Sequence, residues 1–295
     1  MKFCGLRRAV KATCDDVVRH HTFQVAAALS YYFILATFPA LAFLSVVLGS
    51  MPVPDLFAHI LGLMARLLPQ DAIDILRSVL ASVFAASNHK TWIPVSIVTV
   101  VWLTSAAFDA LIEALDIAYD VADPRPFWKT RLLAAVLGAV SGSLLVVAFS
   151  VMIVGPRFAA WLANRIDLSR EFVFVWPFLH WTIATTFTVL AVEIMYFIAP
   201  NVKQRFVATL PGAVLTVGFW LGLSYLLGIY FRNFADYDRL YGTLGGFVAF
   251  MTWLYWNSFV LMVGAELNAE IAKESAKGAI QTRILREGDS LDHAA

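Results

Sequence analysis

Residues 132–156, LLAAVLGAVSGSLLVVAFSVMIVGP, decide the fold. This run contains no Asp, Glu, Lys or Arg, and it is longer than the roughly 18 residues that a helix needs to cross a hydrocarbon core of ~30 Å. A single run of this kind also occurs in the buried cores of soluble proteins. Here, however, it is one of six such runs along the chain.

The six runs predict six spans. Their approximate bounds are 25–48, 91–108, 132–156, 172–199, 206–231 and 240–265. Too little polar chain remains to bury six such segments in a soluble protein. Every backbone polar group must be paired inside a segment that crosses lipid, so helices are expected rather than open strands. The sequence therefore predicts an all-α polytopic membrane protein, a single transmembrane domain that is a bundle of six transmembrane helices.

The composition agrees with this class. Apolar residues make up 60% of the 295 residues and charged residues 15%, with a mean hydropathy of +0.74. Soluble domains average about 45–50% apolar and about 25% charged residues. The net charge of +1 gives no basic surface for a polyanion, so no nucleic-acid partner is expected. The expected partners are membrane lipids, envelope proteins or a second copy of the chain.

Residues 55–88 form the only large predicted insert between spans, and their pattern is amphipathic and helical. Two interpretations remain open: the insert lies in the outer membrane interface, or it forms two short helices that cap the bundle. Residues 271–295 are predicted to be a cytoplasmic tail. The first apolar run is too long for a cleavable signal peptide, so it is expected to stay attached.

Lys and Arg residues near the spans predict the orientation. Five of them precede the first span, and placing both termini in the cytoplasm gives fourteen basic residues inside and eight outside. The chain is therefore predicted to lie in a bacterial inner membrane with both termini cytoplasmic.

Carboxylates near the inner ends of the spans are the most informative polar residues, since a charge at membrane depth is costly unless it faces protein or water. Glu193 lies inside the fourth span and Glu266 ends the sixth. The second span leads into an acidic stripe on one helical face: Asp109, Glu113, Asp116 and Asp120.

Two interpretations of these carboxylates remain open. One is a set of solvated helix ends held by ordinary ion pairs. The other is a polar cavity facing the cytoplasm, with Tyr31 and Tyr32 adding hydroxyl groups. The candidate cavity residues are Glu193, Glu266, Asp109, Glu113, Tyr31 and Tyr32.

Glycines spaced four apart predict close helix packing, because helix backbones approach closely where no Cβ intervenes. The candidate packing residues are Gly138, Gly142, Gly218, Gly222, Gly242 and Gly246. A mobile or unwound helix is the functional alternative for the same pattern.

Sequence motifs for catalysis are absent. The six histidines form no HExxH pattern, and the chain has no phosphate-binding loop and no nucleophile elbow. The acidic stripe beside Arg and Lys residues is more typical of structure than of a two-metal hydrolytic site. No catalytic residue, metal or cofactor is therefore predicted.

Three stretches resemble the YihY/BrkB family of bacterial inner-membrane proteins. Residues 26–44, AAALSYYFILATFPALAFL, resemble its first span, and residues 109–131, DALIEALDIAYDVADPRPFWKTR, resemble its inner loop, with Asp116 where Asn is more usual. Residues 237–270, YDRLYGTLGGFVAFMTWLYWNSFVLMVGAELNAE, resemble its closing segment.

The resemblance implies a six-span inner-membrane protein and supplies no agreed catalytic residues. Some members are linked by name to virulence, and a role in handling envelope lipids has been suggested for some. An older label, ribonuclease BN, is generally regarded as misassigned. Three functions follow as hypotheses: transport or lipid handling, a structural or assembly role in the envelope, and the hydrolase of the old label.

Overall fold

The computed structural model of the chain describes residues 3–50, 89–122, 124–166, 170–233 and 245–292. These residues form seven α-helices and no strand. The helices are α1 Phe3–Arg19, α2 Thr22–Ser50, α3 His89–Ala118, α4 Phe127–Ile166, α5 Arg170–Ile198, α6 Phe206–Asn233 and α7 Gly245–Asp292. The predicted insert at residues 55–88 lies outside the described residues.

Five helices carry a stretch long and apolar enough to cross a membrane. The stretches are Val98–Ala118, Phe127–Met152, Val175–Ile198, Phe206–Tyr230 and Phe247–Ser275. In α2, where the first span is predicted, the described apolar stretch is shorter, Thr22–Thr37. The predicted all-α membrane architecture is confirmed, and the predicted number of six spans is approximate.

Two helices extend beyond their predicted spans. α3 continues past residue 108 as one unbroken helix to Ala118, so Asp109 and Glu113 belong to a spanning helix rather than to a following loop. α7 likewise continues through residues 271–292 of the predicted tail.

Helices adjacent in sequence pack against each other from α1 to α7, and α7 also packs against α1, α2 and α3. α7 therefore occupies a central place in the bundle. Three connections meet at one end: the turn between α1 and α2, residues 119–126 between α3 and α4, and residues 199–205 between α5 and α6. We call this end of the bundle the polar end.

The buried core lies toward the polar end. It draws on α2 through α7, and its least exposed large side chains are Leu29, Leu111, Leu115, Leu137, Tyr196 and Met262. Many large apolar side chains face outward instead, as expected where the surrounding medium is lipid rather than water. Phe178 in α5 and Val207 in α6 are examples, with 80% and 74% of their surface exposed.

Local chemistry fixes how α5 ends. Pro200 has no backbone N–H and cannot donate to the carbonyl of Tyr196 four residues earlier. The side-chain amide of Gln204 donates to that carbonyl instead, at 2.7 Å. The chain then turns into α6, and the backbone N–H of Asn201 donates to the Asp116 carboxylate at 2.8 Å. This hydrogen bond ties the α5–α6 connection to α3.

α3 ends on a left-handed residue. Asp120 has a φ of 54°, its N–H donates to the carbonyl of Ile117 at 3.1 Å, and the N–H of Val121 donates to that of Asp116 at 3.0 Å. These two bonds form the helix-ending motif that usually carries glycine at the left-handed position. Asp tolerates that conformation better than most residues. The turn between α1 and α2 also has a left-handed residue, His21, with a φ of 51°.

Candidate functional site

Glu193 is a carboxylate buried inside a predicted span. It lies on α5, only 1% of its surface is exposed, and the hydroxyl of Thr209 on α6 donates to its Oε1 at 2.5 Å. Its second oxygen, Oε2, is buried and has no hydrogen-bond partner within the described ranges. Burying a carboxylate that has one oxygen without a partner costs free energy. Glu193 is therefore a candidate functional residue.

Asn268 extends the Glu193 contact into α7. Its side-chain nitrogen donates to the carbonyl of Thr209 at 2.8 Å, and its oxygen accepts the N–H of Gly212 at 2.8 Å. Asn268 therefore holds α6 on both sides of Pro211, which has no N–H of its own.

Two buried tyrosines lie beside the same carboxylate. The hydroxyl of Tyr196 donates to the carbonyl of Leu261 at 2.5 Å and pairs with the Thr216 hydroxyl at 2.7 Å. Tyr119 follows the end of α3. Burial raises the pKa of Tyr119, and the nearby Glu193 carboxylate raises it further. We call Glu193, Thr209, Asn268, Tyr119 and Tyr196 the Glu193 cluster.

The closest helix approach in this region is between α6 and α7. A Cβ atom added to Gly212 would collide with the carbonyl oxygen of Gly264 and with Asn268. A Cβ atom added to Gly264 would collide with the Thr216 hydroxyl and lie 2.6 Å from the Tyr196 hydroxyl. Glycine at both positions therefore allows the polar contacts of the Glu193 cluster to form.

Glu266 is the second buried carboxylate, with no exposed surface. Its Oε1 lies 2.8 Å from Nδ1 of His20 and 3.5 Å from the hydroxyl of Thr22, which donates to it. Its Oε2 has no hydrogen-bond partner in the described part of the chain. The turn between α1 and α2 thus carries the groups that face this carboxylate.

His20 also faces a carboxylate with its other ring nitrogen, because Nε2 lies 3.0 Å from Oδ1 of Asp120. Carboxylate oxygens only accept hydrogen bonds, and a neutral imidazole has only one N–H. Both contacts are satisfied together when His20 is an imidazolium or when one carboxyl group carries the proton. His20 therefore lies between two acidic side chains, and its Nε2 is also within hydrogen-bond distance of the Arg19 guanidinium group, which can donate to a neutral imidazole.

Three basic side chains meet at Asp120. In addition to His20, Arg19 Nη2 lies 2.9 Å from its Oδ2 and Lys273 Nζ lies 2.8 Å from the same oxygen. The hydrogen bond from Lys273 is the largest cause of the lowered pKa of Asp120. Arg19 Nη2 also lies 3.1 Å from Nε2 of His20.

Two further carboxylates complete the set. Glu270 lies 3.0 Å from Lys273, and Asp16 lies 3.0 Å from Arg19 and 3.5 Å from Lys273. We call Asp16, Arg19, His20, Asp120, Glu266, Glu270 and Lys273 the Asp120 cluster. It joins α1, the end of α3 and α7.

The structure places the predicted cavity residues in different surroundings. Glu193 and Glu266 are both buried near the polar end, but in separate clusters. Asp109 pairs with Arg131 at 3.3 Å, and Glu113 is exposed. Tyr31 and Tyr32 are also exposed, with 55% and 40% of their surface accessible. Among the residues described, no hydrogen bond or ion pair joins any two of these six, so their common cavity stays a prediction.

The acidic stripe is also divided by the structure. α3 ends at Ala118, so Asp120 leaves the helical face that Asp109 and Glu113 share. Asp120 therefore meets α1 and α7, whereas Asp109 meets the guanidinium group of Arg131, which stacks on Trp102 at 4.7 Å from the ring centroid.

The predicted packing glycines lie in different surroundings among the described residues. A Cβ atom on Gly138 would meet Phe108 at 2.9 Å, in agreement with close packing. At Gly142, Gly218 and Gly222 it would meet no atom of the described chain within 4 Å. Periodicity identified the glycines but not the side of the helix that faces a neighbour. Gly242 lies outside the described residues, and only the backbone of Gly246 is described.

Several functional candidates were missed at the sequence level. His20, Thr209 and Lys273 contact the two buried carboxylates or Asp120, yet each is far in sequence from its partner. One signal was available: His20 and Thr22 stand at the start of the charge-free run that contains the first span. Within the described ranges, no group of three or more His, Cys, Asp or Glu side chains is arranged to hold a metal ion.

Comparisons with known proteins now add to this geometry. The sequence model of one protein family, described as "Virulence factor BrkB", matches residues 13–284. The chain is 27% identical over 254 residues to the "ribonuclease-like protein YfkH" of Bacillus subtilis strain 168, covering 86% of this chain and 91% of that protein.

Two relatives from Stenotrophomonas maltophilia are described as UPF0761 membrane proteins. They are 25% identical over 273 residues (strain R551-3) and 24% identical over 277 residues (strain K279a). Each match covers 85% of this chain but 57% of the relative. The chain therefore spans little more than half the length of these two proteins. No solved structure matches the chain significantly.

Proposed function

The chain belongs to the BrkB family of membrane proteins, and from this premise we propose that it moves or holds a lipid or another amphiphilic component of the bacterial envelope. The proposal rests on the burial of Glu193 inside a spanning helix. Only 1% of its surface is exposed, and one oxygen of its carboxylate has no hydrogen-bond partner among the described residues. Ionisable groups in such positions are rare and usually serve transport or binding.

Glu266 supports the same proposal. It is as deeply buried as Glu193, and it shares a proton-bearing contact with His20. Each of the two carboxylates has one oxygen left for a proton, a cation or a polar head group. In this proposal, a change in the charge of these carboxylates accompanies the uptake or release of the component.

We propose further that the polar end faces the cytoplasm of a cell whose inner membrane contains the chain. The five basic residues before the first span support this orientation. In this proposal, a polar cavity opens between the Glu193 cluster and the Asp120 cluster while the component is taken up or released.

A deletion strain complemented with single variants tests this function. Glu193→Gln retains the shape but removes the charge, so it should fail to restore detergent resistance and envelope lipid composition at normal membrane content. Asp15→Asn, at an exposed position on α1 outside both clusters, is the control and should restore both. Full complementation by Glu193→Gln would contradict the proposal.

A structural or assembly role is the second candidate function. A Cβ atom on Gly218 or Gly222 of α6 would meet no atom of the described residues within 4 Å, and small residues exposed to lipid favour contact with another helix. The occupant in this alternative is an envelope protein or a second copy of the chain. Cross-linking from a cysteine at Gly218 that yields a dimer in membranes would favour this alternative.

We propose that the chain is not a nuclease, whatever the name of its Bacillus relative suggests for that protein. The net charge of +1 supports this view, and so do the ion pairs of Asp120 with Arg19 and of Asp109 with Arg131. RNA cleavage by the purified chain that is lost in Asp109→Asn would contradict it.

A further inference from the structure

The hydroxyl group of Thr209 has two contacts but only one hydrogen to donate. Its oxygen lies 2.5 Å from Oε1 of Glu193 and 2.8 Å from the backbone carbonyl oxygen of Phe206. A carbonyl oxygen only accepts hydrogen bonds, and so does a charged carboxylate. If Glu193 is charged, only one of the two contacts is therefore a full hydrogen bond.

A proton on Glu193 satisfies both contacts. The protonated Oε1 then donates to the Thr209 oxygen, and the Thr209 hydroxyl donates to the carbonyl of Phe206. The three groups form one chain of hydrogen bonds that begins at Glu193. In this chain the bond between Glu193 and Thr209 has the opposite direction to the one that a charged carboxylate requires.

The surroundings of Glu193 contain no positive charge to balance a carboxylate. No Lys, Arg or His side chain of the described helices forms an ion pair with it. The ionisable groups that face it are the hydroxyls of Tyr119, from the segment after α3, and Tyr196, from its own helix. Its neighbours from α6 and α7, Thr209 and Asn268, are neutral. A buried charge without a partner is costly, and a proton on the carboxylate removes that cost.

Glu266 provides a contrast within the same bundle. It is also fully buried, but the imidazole of His20 lies 2.8 Å from its Oε1, and Lys273 acts on it as a second basic group. Glu266 can therefore share a proton with a basic neighbour. Glu193 has no such neighbour in the part of the chain that the structure describes, so it must hold the proton itself.

Glu193 lies nearer to the polar end than to the opposite side of the membrane. Five residues separate it from the end of α5 at Ile198, which is about 8 Å of helix rise. Twenty-three residues separate it from the start of α5 at Arg170, which is about 35 Å. A proton that leaves Glu193 therefore has its shorter route to water at the polar end.

We propose that Glu193 is a proton-binding site, which holds a proton on Oε1 in this conformation and releases it at the polar end while the envelope component is taken up or released. On release, the O–H bond breaks, its electron pair stays on Oε1, and water accepts the proton. The Thr209 hydroxyl then turns from Phe206 to the carboxylate. This inference rests on the proposed function in that it names the ion that the same site binds.

Infrared spectroscopy of the purified chain at neutral pH tests the inference. Exposed carboxyl groups are ionised at this pH, and a protonated carboxyl group has a C=O stretching band apart from the bands of carboxylates and backbone amides. Glu193→Gln should lack one protonated-carboxyl band that the unchanged protein shows. The control Asp15→Asn should lose carboxylate bands only. Loss of carboxylate bands in Glu193→Gln, with the protonated-carboxyl region unchanged, would overturn the inference.

Two variants of Thr209 test the direction of the hydrogen bond while Glu193 stays in place. Thr209→Val removes the acceptor of the Glu193 proton, so the C=O band should move to higher frequency. Thr209→Ser retains the hydroxyl group, and the band should stay where it is. The same frequency in both variants would contradict donation from Glu193 to Thr209. Because both variants keep Glu193, this result does not depend on the folding of Glu193→Gln.

The spectra and the complementation assay separate the two proposals. A protonated-carboxyl band from Glu193 together with full complementation by Glu193→Gln would retain the proton site and contradict the proposed function. A charged Glu193 together with failed complementation would overturn the proton site and leave the proposed function in place.

Discussion

The imidazole of His20 lies 2.8 Å from the carboxylate of Glu266, a residue with no exposed surface. This contact fixes the turn between α1 and α2 against α7. Because the other ring nitrogen faces Asp120, His20 links three parts of the chain that are distant in sequence. The contact explains why an ionisable residue is tolerated at Glu266.

Replacing His20 by Ala should destabilise the fold strongly. The substitution leaves the buried Glu266 carboxyl group with only the hydroxyl of Thr22, and leaving a buried polar group without its hydrogen-bond partner typically costs about 1–3 kcal/mol, and more if the group is charged. Thermal unfolding in detergent measures the loss. The double variant His20→Ala/Glu266→Gln should be more stable than His20→Ala alone, because it removes the orphaned charge. Additive losses would contradict the pairing.

Stability should fall in acid through Asp120. Its pKa is lowered in the folded chain, chiefly by the hydrogen bond from Lys273. The unfolded state therefore takes up the proton first as the pH falls. The stabilisation is fully present above the ordinary Asp value of about 3.9 and is lost as the pH falls through the lowered folded value.

Asp120→Asn provides the comparison for this pH dependence. The Tm of the unchanged protein should exceed that of the variant by a constant margin at neutral pH, and the margin should shrink below about pH 4. Asp120 is partly exposed, so the margin is expected to be small. If this difference in Tm stayed constant into strong acid, the basic side chains around Asp120 would not stabilise its charged form.

Alanine substitutions should lower Tm at a glycine that packs against another helix, but not at a glycine on an open surface. Gly264→Ala places a methyl group against the Thr216 and Tyr196 hydroxyls, and overpacking of this kind costs about 1–3 kcal/mol or more. The methyl group of Gly218→Ala meets no atom of the described part of the chain within 4 Å, so Tm should stay equal or rise through better helix propensity. Similar losses of Tm for both variants would contradict the assigned packing.

Cysteine labelling tests the orientation. On a background without Cys4 and Cys14, a cysteine at Asn88 should react with a membrane-impermeant reagent added outside the cell. A cysteine at Ser275 should react only after the membrane is permeabilised. The reverse pattern would show that the polar end faces outward, and the basic residues before the first span would need another explanation.

The spans were predictable from sequence because the absence of charge over many residues is a local property. The predicted helices carry the apolar stretches of α3 through α7. Glu193 also stood out locally, as a carboxylate within an apolar run. Its partner Thr209 did not, and neither did Asn268, which holds the backbone of Thr209. Both contacts depend on the crossing of α5, α6 and α7, which periodicity does not specify.

The other differences between prediction and structure also arise from contacts between separate helices, which the sequence pattern of one helix does not specify. Asp109 and Glu113 share a helical face with little to distinguish them in sequence, yet one pairs with Arg131 and the other is exposed. Glycine spacing identified Gly138 and Gly218 alike, and only the first packs against a neighbouring side chain. Gly212 and Gly264 belong to no common spacing, since their contact joins two helices.

The central claim is that a buried carboxylate serves the handling of an envelope lipid. The most direct test uses vesicles that contain the purified chain and a trace of fluorescent phospholipid. A reductant added outside bleaches only the outer leaflet unless the protein moves lipid between leaflets. The account predicts bleaching beyond the outer leaflet for the unchanged chain and for Asp15→Asn, and bleaching of the outer leaflet alone for Glu193→Gln. Equal bleaching for the unchanged chain and Glu193→Gln, or no excess over protein-free vesicles, would contradict it.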